Sequence, residues 1–531
     1  MPLRFPGWPF LTTPDTARIC MRTALTTLYA IVLAGLALYS LNALILSALF
    51  LRHRRKAFHA APPPPPAEWP AVTVQLPLFN ERFVVERLID AVAALDYPAG
   101  KLSIQVLDDS TDETIALARA RVAWHRARGV NIAYLRRPNR TGFKAGALAH
   151  GLSTAPGEFI AIFDADFVPP PDFLRRVIPH FADPQIGMVQ TRWGHLNAEL
   201  NPFTRAQALA LDGHFVVEQT ARSRAGLLLN FNGSGGVWRK ACIEDAGGWQ
   251  ADTVAEDLDL SYRAQLAGWR LHYLPDVVAP AEIPPLMTAF KRQQFRWAKG
   301  AIQCLRKFGG RLLAAHHAPH STAQLSWWQK FQALLHLSAY LVHPLMLAMI
   351  VLGLPVLLLS DPGALPLGAL GVVGFAPPIL FALSQWGGYR RDGWRRFLYF
   401  PFLVLVGAGV TLNNSRAVLE ALRGRNAAEF LRTPKFRVEG RHAANLRHAE
   451  AYHLPADWTT AGEIALALYC LVEAGVAWQH APGLVPFMGM YALGYLYTAG
   501  LGMWQSWQSG ALARRPAARR IGGQAPRRSE P

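Results

Sequence analysis

Residues Phe159 to Phe163 form an unbroken apolar run, and two carboxylates, Asp164 and Asp166, follow it with one small residue between them. A continuous run rich in Ile and Phe reads as a strand buried on both faces, as strands of parallel sheets are. The carboxyl ends of such strands open into a cleft where α/β folds bind ligands. Alanine at position 165 leaves space for a divalent cation, and hard carboxylate oxygens suit Mg²⁺ or Mn²⁺ bridging phosphates. A lone D-x-D is also how a strand capped by solvated acids looks, so its meaning depends on the residues around it.

Those surroundings read as α/β. Val72 to Pro77, Ser103 to Leu107 and Asn131 to Leu135 read as strands, and Glu81 to Leu95, Thr114 to Arg128 and Lys144 to Leu152 as helices. Strands alternating with helices predict a doubly wound, largely parallel sheet.

Apolar texture of another kind flanks this block. The 531 residues are 51% hydrophobic and only 17% charged, too apolar for a wholly soluble protein. The stretch from about Ala24 to Leu51 is long enough to span a bilayer, and Arg52, Arg54, Arg55 and Lys56 directly after it place its end in the cytoplasm. Further spans are expected at 331–360, 365–386, 461–476 and 484–504. Phe397 to Val410 is apolar too, but basic segments lie on both sides of it, so the positive-inside rule predicts a re-entrant or interfacial helix and five spans rather than six. The net charge of +18 is spread beside these spans, with no Lys/Arg tract interleaved with aromatics, so nucleic acid is not an expected partner and membrane lipids are. The four cysteines are scattered, which excludes a disulfide framework or a cysteine zinc site.

The organisation predicted is therefore an N-terminal region with an anchor (1–56), a Pro-rich spacer (57–70) and a catalytic domain (71–310). An interface helix, two spans and the re-entrant helix follow (311–415), then a basic loop (416–460), two spans (461–505) and a basic, disordered tail (506–531).

Several further clusters carry chemistry. Asp108 and Asp109 end the second strand, where carboxylates hydrogen-bond a nucleobase or ribose, or else lead an Asx-turn. Lys144 stands at a helix N-terminus, a natural phosphate site. Glu256 caps a helix or faces the cleft, and Asp257 beside it is a candidate general base for an acceptor hydroxyl. In Gln293-Gln294-Phe295-Arg296-Trp297, expected to open a helix, Arg296 offers a donor fork to a pyrophosphate and Trp297 a flat face for a sugar.

In this order and on this scaffold, Asp108/Asp109, Asp164-x-Asp166, Glu256-Asp257 and Gln293-x-x-Arg296-Trp297 resemble the D, D, D, Q-x-x-R-W signature of processive family 2 glycosyltransferases, the cellulose synthase superfamily. The resemblance runs from about Val72 to Phe308. It implies an α/β GT-A domain, a doubly wound mixed sheet, facing the cytoplasm and inserted between transmembrane helices. It also implies that Asp108 or Asp109, with Asp164, binds the nucleoside, that Asp166 ligates Mg²⁺ or Mn²⁺, and that Lys144, Gln293 and Arg296 meet the donor. Asp257 would be the base and Trp297 the acceptor platform, with Glu256 on the acceptor side. Asn232-Gly233-Ser234 resembles the acceptor-side C-G-S turn with Asn in place of Cys, and Phe430, Thr433, Pro434 and Lys435 resemble the gating loop F-x-V-T-P-K with Arg432 in place of Val.

Val254-Ala255-Glu256-Asp257 and Asn139-Arg140-Thr141-Gly142-Phe143-Lys144 look closer to the mannan and glucan synthase-like branch than to cellulose synthases. The implied activity is an inverting hexosyl transfer from GDP-mannose or UDP-glucose to a growing β-glycan, made and exported at a bacterial inner membrane, with an accessory export protein left open. A single transfer to ceramide or diacylglycerol is the alternative, and a nucleotide-binding membrane scaffold the third reading.

Overall fold

The computed structural model describes residues 14–59, 61–314, 325–359, 367–389, 392–424, 435–438 and 458–513. Its soluble part is built on one seven-stranded sheet: β1 (Val72–Leu78), β2 (Leu102–Asp108), β3 (Ile132–Leu135), β4 (Phe159–Ile162), β5 (Ile186–His195), β6 (Gly236–Arg239) and β7 (Arg270–Ala281). The strand order is β3-β2-β1-β4-β6-β5-β7.

Four of the six strand pairings are parallel. β1 pairs with β2 and β4, and β2 with β3, all in parallel register. β5 pairs with β7 in parallel as well, and β6 alone is reversed, antiparallel to both β4 and β5, so the sheet is mixed, as the resemblance implies. This reversal matters for the site. Gly236, at the amino end of β6, pairs with Ile162 at the carboxyl end of β4, so the Asn232–Gly235 turn falls on the same edge as Asp164 and Asp166. The register of β1 with β2 sets Leu78 opposite Asp108, which brings the carboxyl ends of β1, β2 and β4 to that edge too. Every residue of β4 is buried, as its uninterrupted apolar sequence requires, and the strand stops at Ile162, two residues before Asp164.

The helix carrying the Gln293–Trp297 pentad spans Met287–Ala314, so the pentad lies inside the helix and does not open it. Gly300, one turn further on, packs against Ala255, where an added Cβ would lie 2.5 Å from the Ala255 side chain. A small residue at each position is what lets this helix close over the Glu256–Leu266 helix.

Among the described residues, four helices are long and apolar enough to cross a membrane: Ala17–Phe58, Ala339–Leu359, Trp458–His480 and Pro482–Gln508. Gly393–Gly409 and Thr411–Leu422 form a pair bent by 45°, the place where the sequence predicts a re-entrant helix. The span expected at 365–386 coincides with a helix, Leu367–Gly388, that contains Pro377 and Pro378 and is not one of the four; its side chains are described only from residue 374 on. Exposed tryptophans 327, 386, 394, 458 and 507 sit near helix ends, where membrane-interface aromatics concentrate.

One ion pair ties the two parts together. Lys291, on the helix of the pentad, donates to Glu463 on the Trp458–His480 helix at 2.7 Å, with both side chains buried. Removing one partner of a buried pair typically costs about 3–5 kcal/mol, because the remaining charge loses its compensation. Lys291→Met is therefore expected to lower the melting temperature in detergent, and adding Glu463→Leu to recover most of the loss, as a double-mutant thermal-shift series would measure.

Candidate active site

The convergent edge of the sheet borders a cavity of about 170 Å³ lined by Asp109, Lys144, Asp164, Asp166, Asn232, Gly233, Glu256, Asp257, Gln293, Arg296, Trp297 and Lys435, among others. Residues far apart in sequence thus meet in one place, and each is held there by local structure.

Lys144 lies in the first turn of the Phe143–Thr154 helix, which starts after Gly142 in the left-handed conformation. Its Nζ donates to Asp164 Oδ1 at 2.5 Å and to the Gly233 carbonyl at 2.8 Å, and stands 3.8 Å from Glu256 Oε1. Burial alone would lower its pKa, but Asp164, Glu256 and Asp257 outweigh that and hold it above the usual lysine value. Asp257 stands in the first turn of the Glu256–Leu266 helix, and the Leu258 N–H donates to its Oδ1 at 2.8 Å. Burial, then the charge of Glu256, push its carboxyl up to about 7, with Lys144 opposing them.

Gly233 makes this approach possible. Its φ of +81° is left-handed, and a Cβ there would come within 2.8 Å of Asp257 Oδ2. Ser234 is a correction to the sequence reading. It is fully buried and does not line the cavity; its hydroxyl accepts from the Asp164 N–H at 2.9 Å, while its carbonyl accepts from Gln190 and from the Trp193 indole at 3.0 Å. It positions the D-x-D backbone. Asn232 keeps a cavity face but is also pinned, accepting from Gln219 at 2.7 Å and lying 3.0 Å from the His214 ring.

The two acids ending β2 separate cleanly. Asp108 is buried beneath the edge, accepting from the Ser110 N–H at 2.9 Å and the Tyr134 hydroxyl at 2.7 Å. Asp109 lines the cavity, gripped through both oxygens by Arg137, which also donates to the Thr141 and Phe143 carbonyls.

Asp166 receives Lys435 Nζ at 2.7 Å, and the backbone N–H groups of Phe436 and Val438 donate to Glu282 at 2.9 and 3.2 Å. Phe430, Thr433 and Pro434 lie outside the described residues. Among the described residues no cluster of three or more His, Cys, Asp or Glu surrounds a point. The D-x-D supplies two hard carboxylates, each facing an ammonium, and such a pair fits a divalent cation whose remaining ligands come from phosphate or water.

Sequence reasoning missed Phe79, Arg140, Trp193 and Glu282, all of which line the cavity. Phe79, Glu282 and Trp193 lie at or just past the carboxyl ends of strands, a position signal that was available. Arg140 had only its place in the turn before Lys144. A second cavity of about 510 Å³ shares Trp193, Asn232, Asp257, Gln293 and Trp297 with the first and runs on past His214, Glu218, His336 and Tyr340 to Leu403 and Val406. His214 and Glu218 come from a π-helical turn, Gly213–Glu218, a distortion frequent at functional sites.

Asp109→Asn is expected to weaken nucleotide binding by about tenfold, the loss of one charge-assisted hydrogen bond, and also to lower the melting temperature, because the largely buried Arg137 guanidinium loses its charge partner. Asp108→Asn should lower the melting temperature and leave nucleotide affinity nearly unchanged, because its carboxylate is buried and bonded to Ser110 and Tyr134 below the cavity. Calorimetric nucleotide titration beside thermal unfolding checks both.

Residues 70–300 match the family described as Glycosyltransferase like family 2. Among similar proteins, "Glucomannan 4-beta-mannosyltransferase 2" of Arabidopsis thaliana is 43% identical over 261 residues, 48% of this chain and 49% of that one. "Glucomannan 4-beta-mannosyltransferase 1" of Oryza sativa subsp. japonica is 45% identical over 251 residues, 46% of this chain and 48% of that one. The chain spans about half the length of the curated relatives it matches. Among solved structures, the mannosyltransferase PcManGT from Pyrobaculum calidifontis, in complex with GDP-Man and Mn²⁺, superposes with a TM-score of 0.52 over 75% of this chain and 99% of that one, at 24% identity, a likeness of fold. Residues 70–300 therefore match the family 2 glycosyltransferases, share the GT-A fold, and are similar to the glucomannan 4-beta-mannosyltransferases.

Proposed function

We propose that this chain is a membrane-embedded, inverting hexosyltransferase that moves mannose from GDP-mannose onto a growing β-glycan. The observation that carries the reading is Asp257: a part-buried carboxylate, pushed up to about 7, in a cavity whose walls also hold the D-x-D and Gln293-x-x-Arg296-Trp297. A general base serves best with a pKa near the working pH, and burial beside a second acid is how a carboxylate reaches one.

The chemistry follows from the positions. The sugar's anomeric carbon must be attacked from the side opposite the diphosphate by an aligned hydroxyl that gives up its proton. Asp257 accepts that proton, and one displacement inverts the centre, giving a β-link from an α-linked donor. Lys144 and Arg296 counter the charge that builds on the departing diphosphate. Asp166, with Asp164 beside it, is the place for Mg²⁺ or Mn²⁺, which when bound neutralises diphosphate charge. Trp297 offers the face on which the acceptor's terminal sugar stacks.

GDP-mannose is preferred over UDP-glucose because the similar proteins are named as glucomannan mannosyltransferases. A polymer is preferred over a single transfer to lipid because of the second cavity, which continues from Trp297 toward the apolar helices. Its lining of His214, Glu218, His336 and Tyr340 gives sugar hydroxyls polar partners. The basic residues 52–56 after the first span support a cytoplasmic catalytic domain.

Purified protein in nanodiscs with Mn²⁺, offered labelled GDP-mannose, UDP-glucose and UDP-N-acetylglucosamine separately, is expected to make long, lipid-free, mannanase-sensitive product from GDP-mannose. Product migrating with lipid would hand the site to a single-transfer synthase, and no turnover of any donor would contradict the reading. The pH profile has a defined sign. A base works only when deprotonated, so kcat/KM should climb tenfold per pH unit below about 7 and level off above it. A flat profile from pH 5 to 8 would remove Asp257 from the role.

A further inference from the structure

The strand order lays the site out as a line. From β2 through β1 and β4 to β6 the strands lie side by side, each step about 4.8 Å. Asp109 follows β2, Phe79 follows β1, Asp164 and Asp166 follow β4, and Gly233 precedes β6 against Asp257. Asp109 and Asp164 are therefore borne by strand ends about 10 Å apart. That is the reach of a nucleoside diphosphate from base to phosphate, so a donor with its phosphates at the D-x-D and its sugar at Asp257 has its base over β2 and β1.

At that end stands Arg140, which lines the cavity. Its guanidinium carbon lies 3.4 Å from the centroid of the Phe79 ring and 4.9 Å from that of Phe143. At 3.4 Å only a face-on arrangement fits, so the guanidinium is held as a flat plate on Phe79. The backbone is specialised around it. Asn80, next to Phe79, has φ +57°, and Gly142 and Phe143, just after Arg140, have φ +73° and +48°. Left-handed backbone at non-glycine residues is costly and persists where the fold over-determines it.

We infer that Arg140 is a specificity-determining residue that selects a guanine over a uracil nucleotide by donating to the purine O6/N7 edge. A guanidinium fork matches two adjacent acceptors, and guanine presents such a pair while uracil does not. Asp109, fixed by Arg137, is left to accept from the ribose or from a base N–H. The inference rests on the GDP-sugar donor proposed above and names the side chain that enforces it.

The test uses the full chain in nanodiscs with GDP and UDP as titrants, comparing wild type, Arg140→Ala and Arg140→Lys by calorimetry. Wild type is expected to bind GDP at least tenfold more tightly than UDP. Arg140→Ala should lose about ten- to hundredfold toward GDP and less than threefold toward UDP. Retained UDP binding shows that the variant is folded. Arg140→Lys keeps the charge without the fork and should resemble Ala; it also carries the test if the Ala variant does not fold. Equal losses toward GDP and UDP, or full rescue by Lys, would overturn the inference and make Arg140 a general charge for the diphosphate, with the donor reading intact. A wild type that prefers UDP would overturn the donor reading itself, and the inference with it.

Discussion

The arrangement depends on one part-buried ammonium. Lys144 sits among Asp164, Glu256 and Asp257, where three carboxylates would otherwise share a space poor in water. Like charges in such surroundings repel strongly and force protonation. A single cation cannot compensate three acids, and burial together with the neighbouring charge of Glu256 pushes the Asp257 carboxyl up to about 7. The same lysine ties the first turn of one helix to the D-x-D and to the Gly233 carbonyl, so the charge balance and the shape of the site are one constraint. Gly233 and Ser234 serve it from beneath, the first by leaving out a Cβ, the second by holding the Asp164 backbone.

The sheet turns this constraint into a linear site. A wholly parallel sheet would carry the chain entering the strand beside β4 to the far edge; the reversed β6 instead delivers the Asn232–Gly235 turn beside Asp164. Of the described residues other than glycine, the left-handed ones are Asn80, Phe143 and Arg437. Two flank the Phe79–Arg140 stack and the third follows Lys435 and Phe436, which dock on Asp166 and Glu282. Costly backbone is thus gathered around the cavity, as expected where geometry is fixed for binding and not for stability.

Much of this was legible in the chain. Apolar runs ending in acids marked the carboxyl ends of β2 and β4, and the order of the acidic and Gln-x-x-Arg-Trp motifs pointed to one cleft. The antiparallel β6 was not legible, since four residues, Gly236 to Arg239, carry no directional signal. Nor was the split between Asp108 and Asp109, because which acid meets Tyr134 depends on β3 lying beside β2. Contacts such as Lys435 with Asp166 join positions too distant in sequence for spacing to reveal. The pentad was misplaced to a helix start because Lys291 and Arg292 before it read as a polar boundary, whereas Lys291 lies inside the helix and is turned toward Glu463.

The central claim is that Asp257 performs proton transfer and does not merely shape the cavity. The most direct measurement follows GDP binding and mannosyl transfer in one preparation of Asp257→Asn. Asparagine keeps the size and removes the basic oxygen, so GDP affinity should stay within about threefold of wild type while transfer falls by at least ~100-fold. Transfer at wild-type rates, or loss of binding in parallel with turnover, would contradict the account.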